Sequence, residues 1–335
     1  MPHFRFSDYC RLALAITLLA PAVVQATNGY QLIGVGSYQK SLAGAVTANP
    51  GSAMTAISNP AGMIRIDQRA DFSMEGFMPD RSVDFEALGG EKNDSDSDLY
   101  GVPSIGWTAP VGDRTDLYFG GGMYGTSGLG VDYSETLMMP AAASFTGNDL
   151  IWSGYSNIAF WQMAPSLAWN PNERLSLGFA VNIDYQQVSF EQRIRDDVTG
   201  ARYNFDLSRS ANAFGLGLSL GLLYDINDNV TLGFTYKSKQ NFTDLDYNLA
   251  EGDIDLTLVG GPVYPGGKYV LDLDFPQQAA FGVAFRPGQR WTLSADLKWI
   301  DWSDTMDKLT VEGPEGFDFA MDPGWKDQTV FALGV

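Results

Sequence analysis

The chain has 335 residues, 45% hydrophobic and 13% aromatic, with a net charge of −19. That acidity disfavours nucleic acid and anionic surfaces as partners, while the aromatic content argues against a disordered chain. It has one histidine, His3, and one cysteine, Cys10, both within the first ten residues.

Those first residues read as a removable leader. Arg5 and Arg11 give a basic start, residues 12–24 (LALAITLLAPAVV) an apolar run too short to span a bilayer, and Val24-Gln25-Ala26 a small-residue cleavage site. A secretory signal peptide over 1–26 is the expectation. Its removal takes His3 and Cys10 with it, leaving no histidine base, thiolate nucleophile, disulfide or Cys/His metal site. No cofactor, no metal and no enzymatic activity are expected.

Residues 27–67 do not alternate in hydropathy. They are rich in Gly, Ala and Ser, and only Lys40, Arg65 and Asp67 are charged. Apolar Ile33, Val35, Leu42, Met54 and Ile57 argue against a free tail, so a compact plug with short helical pieces such as 52–57 is expected. Near its end, AISNPAGM (56–63) contains a turn signal: Asn59-Pro60 starts a turn, and Gly62 tolerates positive φ.

From about residue 68 the period becomes two. Phe214, Leu216, Leu218, Leu220, Leu222 and Tyr224 share one face, opposite Gly215, Gly217, Ser219 and Gly221. The same pattern occurs over 175–186 and 291–299, in runs long enough for tilted transmembrane strands. Aromatics such as Tyr185, Tyr224, Tyr236, Trp291 and Trp299 end the apolar faces, as an interfacial girdle requires. Ten strands are expected, at 69–78, 101–110, 115–124, 157–169, 174–190, 211–224, 230–237, 276–286, 290–300 and 328–335. Tight turns (110–114, 170–173, 225–229, 286–290) alternate with long polar stretches (79–99, 125–156, 191–210, 238–275, 300–327). Alternation of short and long connections is the plan of an outer-membrane barrel, with turns on the periplasmic side and loops outside. The expected fold class is therefore an all-β, antiparallel transmembrane barrel over 68–335, with 27–67 as a hatch in its lumen. The last strand stops in mid-pattern at Val335, which suggests a truncated C-terminus.

Three groups of residues within this frame carry chemistry. Parity puts Lys237 and Lys298 on the lumen face with Thr235 and Asp296; with Arg193 and Arg195 from a loop, they are candidates to pair a ligand carboxylate. The alternative is that these lumen cations are paired with Asp184, Asp296 and their neighbours. Leu137, Met138, Met139 and Phe145 form an apolar patch in a stretch that should be polar, suited either to capturing a hydrophobic ligand or to a small loop core. Gly120, Gly121, Gly122, Gly125 and Gly128 weaken one strand enough for a bulge or kink, or else relieve crowding in the lumen. NDSDSD (93–98) reads as a solvated loop tip, with cation bridging to lipopolysaccharide as the sharper idea.

ATNGYQLIGVGSYQKSLAGA (26–45) followed by AISNPAGM resembles the start of the FadL/TodX family of outer-membrane transporters for long-chain fatty acids and hydrocarbons. GLGVDY (128–133), DLKWIDWSD (296–304) and WKDQTVFALGV (325–335) extend the resemblance over the mature chain. The resemblance implies a barrel of about fourteen strands, so about four would be missing here. It further implies a hatch containing Asn59, Pro60, Ala61 and Gly62, capture of ligand at the extracellular side, and lateral release through a kinked third strand. Ligands would be long-chain fatty acids or other hydrophobic compounds. Outer-membrane lipid and lipopolysaccharide would surround a monomer in a Gram-negative cell. ANPGS (48–52) departs from the pattern, which leads one to expect an acidic residue there. A general aqueous porin and an aromatic-hydrocarbon channel are the alternatives.

Overall fold

The computed structural model describes residues 28–29, 31–127 and 130–335. The signal-peptide expectation and Gly128 lie outside the described residues. A short leading unit ends at Leu32, and the main unit is Ile33–Val335.

Ten strands of the main unit form one continuous antiparallel meander: β1 (Arg69–Phe77), β2 (Tyr100–Pro110), β3 (Leu117–Ser127), β4 (Leu150–Asn172), β5 (Leu175–Asp196), β6 (Arg202–Asn227), β7 (Val230–Lys237), β8 (Gln278–Gly288), β9 (Trp291–Ile300) and β10 (Gln328–Gly334). Each pairs with its neighbours in sequence, which the alternation of tight turns and long connections requires. Each expected strand is present, and β4, β5 and β6 run well past their expected loop-side ends, to 22–26 residues.

Side-chain sorting is the reverse of a soluble sheet. Phe72, Leu216, Leu220, Leu297 and Phe331 are exposed on the outer face, whereas Ser104, Gln162, Asn182, Ser219 and Asp296 are buried on the inner one. An exposed apolar band over a polar interior suits hydrocarbon as solvent, and no helix among the described residues is long and apolar enough to cross a membrane.

The stretches expected as polar loops carry β structure of their own. Val131–Met139 pairs with the outward extension of β4. Leu245–Leu249, Gly267–Leu271, Leu309–Glu312 and Phe319–Met321 make a separate four-stranded sheet. Its Leu245, Tyr247, Tyr269, Leu271 and Val311 pack on Val188, Leu207, Ala211 and Ala213 of β5 and β6, and the Tyr247 hydroxyl donates to the Val188 carbonyl (3.1 Å). One face of this small sheet is buried on the wall strands, while Asp246, Asn248 and Lys268 on the other are exposed, and that burial is why it folds at all.

Candidate functional site

The segment Ile33–Ile66 lies against the concave face of the main sheet. It contains helix α1 (Gly36–Ser41), helix α2 (Thr55–Ser58) and a 3₁₀ turn over Pro60–Arg65. Ala45, Ala53, Ala56, Ala61 and Met63 have no exposure at all. Pro60 explains the local break: the residue before a proline is pushed out of the α region, and Asn59 has φ −152° and ψ 96°. Helix α2 therefore stops at Ser58, and the Asn59 side chain caps the 3₁₀ turn, its Oδ1 accepting from Ala61 N (3.2 Å) with Pro60 at the first position.

The same side chain ties the segment together. Asn59 Nδ2 donates to the Thr47 carbonyl (2.7 Å) and to the Leu222 carbonyl of β6 (3.3 Å). Gly62 was expected to use positive φ, but its φ is not in that region. It is needed for space, because a Cβ there would run into Thr55 and Pro50.

Every wall strand touches this segment. Ala53 N donates to Asp71 on β1 (2.6 Å), Thr108 on β2 to the Met63 carbonyl (3.3 Å), and Ser166 on β4 to the Ala56 carbonyl (3.4 Å). Asp296 Oδ2 on β9 accepts from both Val46 N and Thr47 N at 2.9 Å. Elsewhere glycines admit its backbone or side chains: Gly122 on β3 faces Ile57, Gly178 on β5 faces Pro60 and Ala61, Gly233 and Gly282 on β7 and β8 face Thr47 and Ala48, and Gly334 on β10 faces Leu42. Contact with all ten strands in turn requires the sheet to curl around the segment. Ion pairs add to this: Lys40 with Glu75, and Arg65 with Asp225 (2.7 Å). The Arg65–Asp225 pair borders a polar cavity of about 490 Å³ that also contains Arg174, Thr231 and Arg286, at the turn end.

Along the central strands the interior is layered. Towards the loops, beyond the N-terminal segment, comes a row set by register: Tyr124 on β3 is opposite Gln162 on β4, which is opposite Asp184 on β5. Gln162 Nε2 donates to Asp184 Oδ1 (2.7 Å), and Lys237 Nζ donates to Gln162 Oε1 (2.7 Å). β7 is three places from β4 in the sheet, so that last bond crosses the concave side. Directly above the row Phe160 stacks on Phe275 (centroids 4.1 Å apart), with Phe242 5.9 Å from Phe275 and Tyr124 5.9 Å from Phe160. Gly215 and Gly217 leave room for Phe242 and Gln240. The loop sheet comes next, over Val188 and Ala211.

The expected site residues divide by place. Lys237 and Lys298 both face inward; Lys298 is opposite Ala280, itself opposite Thr235, two residues from Lys237. No hydrogen bond or ion pair engages Lys298 among the described residues, and Lys237 uses one of its three donors. Arg193 and Arg195 lie far along β5, committed to carboxylates: Arg193 to Glu191 (2.9 Å), Arg195 to Glu135 (3.0 Å) and Asp197 (3.1 Å). The hydrogen bonds from Arg195 hold the Glu135 carboxyl below its ordinary range. Leu137, Met138 and Met139 sit in the strand beside β4, half-buried, and Phe145 is exposed in the turn that follows. The structure brings together the lysines but leaves both arginines elsewhere.

Of the expected kink glycines, Gly120, Gly121 and Gly122 pair on both sides with no register shift. β3 and β2 part later: their pairing ends at Ser104–Tyr124, and Gly125–Ser127 are paired to β4 alone. The sequence reading missed Tyr124, Phe160, Gln162, Phe242 and Phe275, and named Asp184 as a lumen partner for the cations. Inward parity on 115–124 and 157–169 would have found the first three; Phe242 and Phe275 come from a connection and carry no periodic signal.

The family described as outer membrane protein transport protein (OMPP1/FadL/TodX) matches residues 13–335. The long-chain fatty acid transport protein of Salmonella typhi is 23% identical over 98% of this chain and 78% of its own. The protein of the same description from Escherichia coli K12 is 24% identical, over 88% of this chain and 68% of its own. Among solved structures, the Pseudomonas putida toluene transporter TodX superposes with a TM-score of 0.70 at 22% identity, covering 90% of this chain and 79% of that one. The Ralstonia pickettii toluene transporter TbuX gives 0.68 at 19%, over 91% and 82%. These likenesses carry the outer-membrane β-barrel fold.

Proposed function

The chain belongs to the OMPP1/FadL/TodX family of outer-membrane transport proteins, and from that membership we propose that it takes up long-chain fatty acids or related hydrophobic compounds passively. One observation carries this reading: residues 33–66 fill the concave side and touch all ten wall strands, which suits a hatched carrier and is poor for an open aqueous porin. A greasy solute gains little from a water-filled pore and much from a route that ends in lipid.

In this reading Leu137, Met138, Met139 and Phe145 offer the first apolar contact, beyond which the ligand meets Phe160, Phe242 and Phe275. A carboxylate head would be paired by Lys237, with two donors to spare, and by Lys298. The segment around Asn59-Pro60-Ala61-Gly62 acts as the hatch. Exit is lateral, where Gly125 and the residues after it are no longer paired to β2. Arg193 and Arg195, held by acidic neighbours, stiffen the outer rim. The protein works as a monomeric carrier, not an enzyme, within lipid and lipopolysaccharide. Aromatic hydrocarbons remain the second substrate class, favoured by the phenylalanine trio and by the toluene transporters named above.

Uptake of oleate and toluene into proteoliposomes, with Lys237→Ala and Lys298→Ala, tests the assignment. Both variants are expected to slow oleate and spare toluene. Unchanged oleate uptake in both would remove the lysines from the site.

A further inference from the structure

The outer wall carries a concavity that transport does not use. At the turn end of β3, β4 and β5, two cross-strand rows point outward: Leu117–Trp169–Leu177, then Phe119–Leu167–Phe179. Between them Leu117, Leu167, Trp169, Leu177 and Phe179 line an apolar groove of about 470 Å³, within the usual range for a small-molecule site. Arg114, from the turn joining β2 to β3, closes its rim.

That rim is a charge pair and not a lone cation. Arg114 Nε and Nη2 donate to Asp116 Oδ1 (2.9 Å) and Oδ2 (2.7 Å), which leaves Nη1 without a hydrogen-bond partner among the described residues. The indole of Trp169 borders the same carboxylate. An apolar trough in lipid, ending in one guanidinium and one carboxylate at the headgroup level, complements an acyl chain carrying a zwitterionic head. Short turns mark the periplasmic side, so this end lies in the phospholipid leaflet and away from lipopolysaccharide.

We propose that this groove is a binding site for a glycerophospholipid with a phosphoethanolamine head. One acyl chain lies between Trp169 and Phe179, the phosphate accepts from Arg114 Nη1, and the primary ammonium donates to Asp116. A quaternary ammonium has no proton to donate, and a glycerol head brings no cation to the carboxylate, so both fit less well. Site and headgroup belong together because each half of the Arg114–Asp116 pair meets its opposite. Exposed pairs of this kind are weak, so discrimination on the order of threefold is expected.

Native mass spectrometry of the purified chain, offered equal amounts of phosphatidylethanolamine, phosphatidylglycerol and phosphatidylcholine, reads this directly. Wild-type protein should retain phosphatidylethanolamine about threefold over the other two. Arg114→Gln should abolish the preference, and Leu167→Trp, which fills the groove, should lower retention of all three. Arg114 is exposed in a turn, so its variant folds; a heat-modifiable gel shift checks both. Equal retention of the three lipids by wild type, or a preference that survives Arg114→Gln, overturns the proposal. Oleate uptake is unchanged in either case, which separates this site from the transport reading.

Discussion

Replacing Asn59 by alanine should loosen the N-terminal segment without dismantling the wall. Asn59 is 1% exposed, and its amide serves Thr47 O, Leu222 O and Ala61 N. Alanine strands the Thr47 carbonyl and the Ala61 amide, which no other group among the described residues hydrogen-bonds off the ladder. Each stranded group is neutral and costs about 1–2 kcal/mol, the lower part of the usual range, so about 2–4 kcal/mol in total is expected for docking. At 1.4 kcal/mol per factor of ten, the undocked population rises between roughly 30-fold and 700-fold. Trypsin reports this, because Lys40 and Arg65 are the cleavage sites between residues 33 and 66. Cleavage at both should accelerate by that order while the heat-resistant gel mobility of the barrel persists. Asn59→Asp keeps the acceptor for Ala61 N and loses the donors to Thr47 and Leu222, so it should be nearly as open as alanine. Cleavage within twofold of wild type for both variants would refute the reasoning and make Asn59 incidental to docking.

Gly178→Ala puts a Cβ into the backbone of Pro60 and Ala61 and should destabilise the segment by about 1–3 kcal/mol, whereas Gly76→Ala, with nothing near it, should be neutral; urea titration followed by the same trypsin assay compares them. Asp327 lies outside the spanning strands, and the Ser303 hydroxyl (2.7 Å) and amide (3.1 Å) hold its carboxyl below its ordinary 3.8. A lowered value means the contribution is present above the unfolded pKa and is lost as pH falls through the folded one. Protection of the Ser303 amide in hydrogen exchange, corrected for intrinsic rates, should therefore be constant from pH 7 to 5 and drop only below about pH 4. Asp327→Asn should remove that dependence.

The wall was legible because its code is local. Alternation at 175–186, 214–224 and 291–299 fixes both the strands and which side chains face inward, and it placed Lys237 and Lys298 correctly within the interior. What lay beyond was non-local. The loop-side ends of β5 and β6 are polar enough to pass for loops, and they form strands because each is the other's partner out to Arg195–Arg202. The four-stranded loop sheet joins residues 245–249 to 319–321, a pairing no window reveals.

The strand glycines admitted two physical readings. A glycine in a strand weakens it, so Gly120–Gly122 read as a kink or as relief of crowding in the lumen. In the fold Gly120 faces Met63 and Gly122 faces Ile57, so each marks a place where the segment presses on the wall. Likewise Gln162 and Asp184 carry no motif; they matter because register sets them opposite one another within reach of Lys237.

The central claim is that a docked N-terminal segment makes this barrel a carrier of hydrophobic solutes. Proteoliposomes carrying the chain, assayed in parallel for oleate uptake and for swelling in a small sugar, test it most directly. Saturable oleate uptake with no sugar-driven swelling is the predicted result. Fast swelling in sugar without saturable oleate uptake would contradict it and return the chain to the aqueous porins.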